Sequence, residues 1–157
     1  MHTDLNKTAE VYNSHIVKGW ENLYKEKRSR LYELLSEHYV GNTALELGCG
    51  DGESTKNILN KFDNLDIVDG SKAQLEALKK TFNQVNIIHS YFEEFKATKK
   101  YDTIFMTHIL EHLDKPEDIL NNAYTYLNNK GVVLISVPNA LSFHRLVGEK
   151  MGLLESP

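Results

Sequence analysis

The chain has 157 residues and a single cysteine, which excludes an internal disulfide framework. It contains no apolar run near the ~20 residues that a membrane-spanning helix requires. Its first residues, Met1–Asp4, do not begin a signal peptide. The formal net charge of −4 argues against a nucleic-acid-binding surface, which normally needs a basic patch. These absences favour one globular domain in the cytoplasm, with no membrane span and no nucleic-acid partner.

What the sequence does contain is a glycine-rich loop directly after a short apolar run. Residues 43–53 read Thr-Ala-Leu-Glu-Leu-Gly-Cys-Gly-Asp-Gly-Glu, which predicts a buried strand, a glycine turn and the start of a helix. The spacing is G-x-G-x-G, whereas a dinucleotide-binding fingerprint would need a third glycine where Glu53 stands. Asp51 and Glu53 would also repel a pyrophosphate at the helix N-terminus. The loop therefore indicates a cationic cofactor, S-adenosylmethionine, rather than NAD.

This loop resembles the first motif of the class I S-adenosylmethionine-dependent methyltransferases, and the similarity continues in order along the chain. The resemblance implies a Rossmann-like α/β fold, with a parallel sheet of at least five strands and helices on both faces. After the strand that leads into the loop, we predict strands at residues 65–69, 85–88, 101–106 and 132–137. The predicted helices cover residues 53–62, 73–82, 116–127 and 139–154, with a turn at 128–131.

The resemblance also implies which residues bind the cofactor. In the family an acid at the end of the second strand binds both ribose hydroxyls, so Asp69 takes that role, and a carboxylate can accept two such bonds. Ser90 would face adenine, although many relatives have aspartate there, and Tyr91 and Phe92 would flank the ring. The full predicted set is Glu46, Gly48, Cys49, Gly50, Asp69, Gly70, Ser71, Ser90, Tyr91, Phe92, Thr107 and His108.

Two histidines, His108 and His112, are the candidate catalytic residues. They follow the fourth predicted strand, on the carboxyl edge where open α/β sheets bind ligands. An imidazole titrates near neutral pH and can act as the base for an alcohol or acid acceptor. His15 and His144 are the alternatives. His108–His112 also fits the H-x-x-E-H pattern of a zinc-protease class, but it starts at the end of a strand, so we predict no metal site.

The residues after the fourth strand narrow the kind of atom that would accept the methyl group. Enzymes that methylate base or glutamine nitrogens commonly carry a Pro-Pro-Tyr type motif there, whereas this chain has Thr107-His108-Ile109. The resemblance therefore favours transfer to oxygen of a small molecule, such as a sugar, a phospho-sugar or a phosphoramidate capsule precursor. Methylation of nitrogen or carbon is one alternative. The other is a module that binds the cofactor without transferring a methyl group.

The two ends of the chain differ from its centre. Residues 1–40 predict a helical cap, because apolar residues such as Leu31, Leu34 and Leu35 recur at helical spacing; alternatively Tyr12, His15 and Trp20 form a lid. Residues 41–157 would form the cofactor-binding core. The family has two more strands, an antiparallel hairpin beside the fifth, and this sequence has none. We therefore expect a chain truncated at its C-terminus, with an open fifth-strand edge that can pair with a second copy as a homodimer.

Overall fold

The computed structural model describes residues 21–152. The helices are α1 (Glu21–Ser36), α2 (Glu53–Ile58), α3 (Lys72–Thr81), α4 (Pro116–Tyr126) and α5 (Phe143–Lys150), with short 3-10 turns at Leu59–Lys61 and Leu110–His112. The strands are β1 (Thr43–Leu47), β2 (Asn64–Asp69), β3 (Asn86–His89), β4 (Tyr101–Thr107) and β5 (Leu127–Ser136). Within this part of the chain no helix is long and apolar enough to span a membrane.

The five strands form one parallel sheet in the order β3-β2-β1-β4-β5. In the centre, Leu45 of β1 aligns with Asp66 of β2 on one side and with Ile104 of β4 on the other. The strand order reverses between β1 and β4, and in open α/β sheets ligands bind at the carboxyl ends of the strands at such a switch point. The observed sheet confirms the predicted Rossmann-like fold.

The sheet is buried on both faces, because successive side chains of a strand point to opposite sides. On β4, Phe105 packs into the core cluster that includes Tyr32 of α1 and Leu75 of α3. Its neighbour Ile104 packs into the second cluster with Ile119 of α4. Helices therefore cover both faces, as the sequence predicted.

An aromatic cluster joins α1 to the sheet. The Phe105 ring makes edge contacts with Tyr39 at 5.2 Å and with Phe62 at 5.8 Å between centroids, and the Tyr32 ring lies 6.4 Å away. Tyr32 is buried, whereas Leu34, which we predicted on the apolar face of this helix, is 50% exposed. Leu35 packs against the same core cluster as Tyr32, so of these two leucines the predicted apolar face is wrong for Leu34 alone.

The segment before the predicted fifth strand is the clearest error in the predicted elements. We expected a turn at residues 128–131, but β5 already begins at Leu127 and contains these residues as an irregularity. Between the aligned pairs Tyr101–Leu127 and Thr103–Val132, β4 has one residue and β5 has four, so β5 bulges there, and Lys130 within the bulge has a φ of 66°. The prediction that residues 128–131 form a turn ahead of the fifth strand was therefore wrong, because these residues lie within β5.

The remaining boundaries differ by shorter stretches. The predicted helix at 53–62 is an α-helix only to Ile58, and the helix predicted from residue 139 begins at Phe143. Within residues 21–152 the strand count of five is confirmed, and β5 pairs with β4 alone. Tyr12, His15 and Trp20 lie outside the described residues, as does the side chain of His144.

Candidate functional site

The carboxylate of Asp69 joins the glycine loop to the start of α3. Its Oδ2 accepts the backbone N–H of Cys49 at 3.0 Å, and its Oδ1 accepts that of Ser71 at 2.8 Å. The Cys49 thiol is a second, weak donor to Oδ2 at 3.4 Å, so a ligand hydroxyl bound to that oxygen would have to replace the thiol. Burial raises the pKa of the adjoining Cys49 thiol, which therefore stays neutral. Asp69 thus fixes the glycine loop from the end of β2, and its contact with ribose hydroxyls stays a prediction.

The glycine loop is packed on one side and open on the other. A Cβ on Gly48 would lie 2.7 Å from Ile109 Cγ2 and 3.5 Å from Phe92 Cζ, so no larger residue fits there. A Cβ on Gly50 would meet nothing within 4 Å, although its φ of 50° is one that glycine tolerates best. The open side of the loop therefore borders free space beside Asp69, which fits the approach of a ligand to the backbone.

Glu46 lies behind the loop and not on its open side. Its side chain is fully buried, and its carboxylate accepts the hydroxyl of Thr55 at 2.7 Å and the hydroxyl of Ser54. Burial raises the pKa of Glu46 to about 7, and the charge of Asp69 adds to this effect. Glu46 thus anchors the first turn of α2, and its contact with a cofactor stays a prediction.

The predicted adenine side follows β3. The backbone N–H of Ser90 donates to the carbonyl of Asp69 at 3.2 Å, and its hydroxyl donates to the carbonyl of Tyr91 at 2.9 Å. The carbonyl of Gly70 lies 3.1 Å from His89 Nε2. Because the Ser90 hydroxyl has already used its proton, only its lone pairs are left to accept the amino group of a base.

The two candidate histidines are both exposed after β4 and differ in their neighbours. His108 has a φ of 55° and donates its backbone N–H to the carbonyl of Ser136 at 2.9 Å. Its Nδ1 lies 3.4 Å from Glu111 Oε1. His112 is exposed, as His108 is, and lies within the short 3-10 turn. Since a base must be oriented by a second group, the geometry favours His108 over His112. In the described part of the chain no group of side chains could hold a metal ion.

Two residues of α1 reach the site, and the sequence analysis missed both. The Tyr32 hydroxyl is 2.8 Å from Thr107 Oγ1, at the end of β4. Arg28 Nη1 lies 2.6 Å and 2.7 Å from the two carboxylate oxygens of Asp51 in the glycine loop. Arg28 and Tyr32 are four residues apart, so they share one helix face. This four-residue spacing is the sequence feature that could have predicted a shared face for Arg28 and Tyr32.

The Arg28 contact also corrects our reading of the loop charge. Asp51 is paired with a guanidinium, and Glu53 lies 3.6 Å from Lys56. The loop is therefore less acidic than its sequence suggests, and repulsion of a pyrophosphate is a weaker argument than we made it. The argument from the missing third glycine stands, because Glu53 occupies the first position of α2.

The family model described as a methyltransferase domain matches residues 20–156. A malonyl-[acyl-carrier protein] O-methyltransferase of Halalkalibacterium halodurans is 28% identical over 148 residues, which are 85% of this chain and 55% of the relative. The chain spans about half the length of the curated relatives it matches.

Solved structures share the fold at lower sequence identity. The S-adenosylmethionine-dependent methyltransferase from Clostridium acetobutylicum has a TM-score of 0.66 at 19% identity, over 93% of this chain and 62% of its own. The N-methyltransferase NodS from Bradyrhizobium japonicum has a TM-score of 0.68 at 16% identity, over 85% and 76%. The chain belongs to the methyltransferase domain family, which confirms the class that the glycine loop indicated.

Proposed function

We propose that this chain binds S-adenosylmethionine and transfers its methyl group to an oxygen of a small-molecule acceptor. The observation that carries this proposal is the Asp69 carboxylate, which is tied to the glycine loop beside the open space at Gly50. A carboxylate at the carboxyl end of β2, one strand from the switch point of the sheet, is well placed to accept ribose hydroxyls.

The residues on this edge divide the binding between them. Asp69 holds the ribose, and Tyr91 and Phe92 flank the adenine on the β3 side. The backbone of the glycine loop approaches the methionine part, where Gly50 leaves room for it. When bound, S-adenosylmethionine supplies an electrophilic methyl group and leaves as S-adenosylhomocysteine.

His108 is the proposed base for the acceptor hydroxyl. Its ring lies at the mouth of the site after β4, with Glu111 Oε1 3.4 Å from its Nδ1. The carboxylate orients the ring and stabilises the imidazolium that forms when the other nitrogen takes a proton. Thr107, held by Tyr32, fixes the backbone just before it. A base so placed would contribute roughly 10²–10⁴-fold to the rate.

The acceptor is the least constrained part of the proposal. An oxygen acceptor is supported by the malonyl-[acyl-carrier protein] O-methyltransferase, whose name states that chemistry for that protein. NodS is named an N-methyltransferase, so nitrogen is the second candidate. A sugar, phospho-sugar or capsule precursor is our finer suggestion within the oxygen class, and it rests on the resemblance of sequence motifs alone.

A homodimer through the β5 edge belongs to the same proposal. Ile135 of β5 and Val137 directly after the strand are 41% and 53% exposed, and an apolar edge strand favours pairing with another chain. Light scattering coupled to size exclusion tests this directly. A monomer at all concentrations up to the millimolar range would contradict it.

The cofactor assignment is tested by calorimetric titration of S-adenosylmethionine into an Asp69→Ala variant. We expect affinity to fall by about 1.5–3 kcal/mol, because charge-assisted hydrogen bonds are lost. Asp63→Asn, at an exposed position before β2, is the control for a general loss of negative charge. Unchanged affinity in a folded Asp69→Ala protein would refute the assignment.

Turnover separates an enzyme from a module that only binds. Release of S-adenosylhomocysteine is followed with a panel of hydroxyl, carboxyl and amine acceptors. We expect His108→Ala to lower turnover by roughly 10²–10⁴-fold with little change in cofactor affinity, and His112→Ala to have a small effect. Equal turnover in both variants would remove His108 as the base, and cofactor binding without turnover on any acceptor would favour the binding module.

A further inference from the structure

Three buried polar side-chain atoms near the end of the described chain have no hydrogen-bond partner. They are Ser136 Oγ, Ser142 Oγ and Arg145 Nε, and within the described residues no other buried side-chain atom is left unpaired in this way. Folded proteins satisfy nearly all such atoms, so unsatisfied ones require an explanation. All three lie in residues 136–145, so this segment holds unused hydrogen-bonding capacity.

This segment begins beside the candidate base. Ser136 is the last residue of β5 and aligns with Thr107 of β4. Its carbonyl accepts the backbone N–H of His108 at 2.9 Å. The chain that carries Ser142 and Arg145 therefore leaves the sheet at the same edge as the proposed reaction site, on its β5 side.

Ser142 and Arg145 both lie at the start of α5. Ser142 is the N-cap of this helix, where a serine hydroxyl usually accepts an N–H of the first turn. Here it makes no capping bond. Arg145 follows three residues later, on the same face, and helical side chains lean towards the N-terminus. This spacing places both residues on one face at the start of α5.

The charge of Arg145 is also uncompensated. Glu149 stands four residues further along α5, yet no ion pair joins Arg145 to any described residue. A guanidinium has only donors, so its partner must bring acceptor atoms. Its positive charge and the N-terminal end of α5 both favour an oxyanion.

We propose that Ser142 and Arg145, assisted by Ser136, bind a carboxylate or phosphoryl group carried by the methyl acceptor. This anion site deepens the proposed function. Its description as an acceptor site rests on that function, whereas binding of the anion itself requires no methyl transfer. It narrows the acceptor class to small molecules that carry a negative charge close to the methylated atom.

The test is a titration of the 157-residue protein with sodium malonate and, separately, with sodium phosphate, at constant ionic strength set by sodium chloride. We expect saturable binding that weakens about tenfold in Arg145→Gln and less in Arg145→Lys, which keeps the charge but not the guanidinium fork. Ser142→Ala should weaken it several-fold. Lys150→Gln removes an exposed cation from the same helix and should leave binding within twofold.

The outcomes separate the anion site from the proposed function. Tighter binding of malonate supports a carboxylate acceptor, and tighter binding of phosphate supports a phosphoryl one. Anion binding no stronger than that of chloride, or unchanged in Arg145→Gln, overturns the inference. S-adenosylmethionine affinity is measured in parallel and should not change in Arg145→Gln. If the unaltered protein does not bind S-adenosylmethionine but still binds the anion through Arg145, the proposed function is refuted and the anion site is supported.

Discussion

The buried carboxyl of Glu46 should make the stability of this protein fall as the pH rises through neutrality. Its ordinary pKa of 4.5 is raised to about 7 because the side chain is fully buried. The folded state therefore holds this proton more tightly than the unfolded state does. The stabilisation is complete below pH 4.5, declines as the unfolded chain ionises and is lost above pH 7.

The size of the effect follows from the two pKa values. A pKa raised from 4.5 to about 7 corresponds to about 3 kcal/mol of unfolding free energy between pH 4 and pH 8. Glu46→Gln removes the ionisation. Its amide still offers an oxygen to one of the two hydroxyls, Ser54 or Thr55, and an NH₂ group to the other. We therefore expect E46Q to gain about 3 kcal/mol relative to the unaltered protein when the pH is moved from 4 to 8.

Urea denaturation followed by far-ultraviolet circular dichroism measures this difference. Each protein is titrated with urea at pH 4 and at pH 8 to obtain its free energy of unfolding. Because other acids titrate in both proteins, we interpret only how the difference between their free energies changes with pH. Glu33→Gln is the matched control, because Glu33 is exposed in a surface ion pair with Arg30 that contributes little. A difference between E46Q and the unaltered protein that stays constant across this range would refute the buried-acid argument.

Three further predictions concern stability. Phe105→Ala should cost about 3–5 kcal/mol in denaturant titrations, because the ring is fully buried in the aromatic cluster; a loss below 1 kcal/mol would contradict that packing. Tyr32→Phe should cost about 1 kcal/mol by losing the bond to Thr107, and thermal melts identical to the unaltered protein would show that this bond adds nothing. Asp102 accepts two hydrogen bonds from Thr43, and the bond from the Thr43 hydroxyl is the chief cause of its lowered pKa. Asp102 therefore stabilises the folded protein above its unfolded pKa, and this stabilisation is lost as the pH falls through its folded pKa. Asp102→Asn should therefore reduce the acid sensitivity measured between pH 5 and pH 2, and an unchanged slope would exclude this contribution.

The sheet and the glycine loop were predictable because their signals are local. Apolar strands of five or six residues, each followed by a glycine or a carboxylate, mark the carboxyl edge of a parallel sheet. The end of β2 at Asp69 and the loop from Gly48 to Gly52 were placed correctly on that basis. These local signals do not specify the order of the strands in the sheet, which the structure gives as β3-β2-β1-β4-β5.

The contacts made by α1 could not be predicted in the same way. Tyr32 and Thr107 are 75 residues apart in the chain, and Arg28 and Asp51 are 23 apart. Nothing in the local pattern of either partner specifies such a pair. The leucine spacing even favoured Leu34, which is half-exposed, because periodicity defines a face of the helix but not its rotation against the core.

The backbone of His108 shows how the fold and the site constrain each other. A non-glycine residue at a φ of 55° is strained, and such strain persists only where the surroundings impose it. Here they do so from both sides. Thr107 is held by the hydroxyl of Tyr32, and the N–H of His108 is bonded to the carbonyl of Ser136 on the neighbouring strand. Because both constraints come from tertiary contacts, the orientation of the ring depends on α1 and β5 as much as on β4. A change in either element should therefore alter the position of the proposed base without touching it.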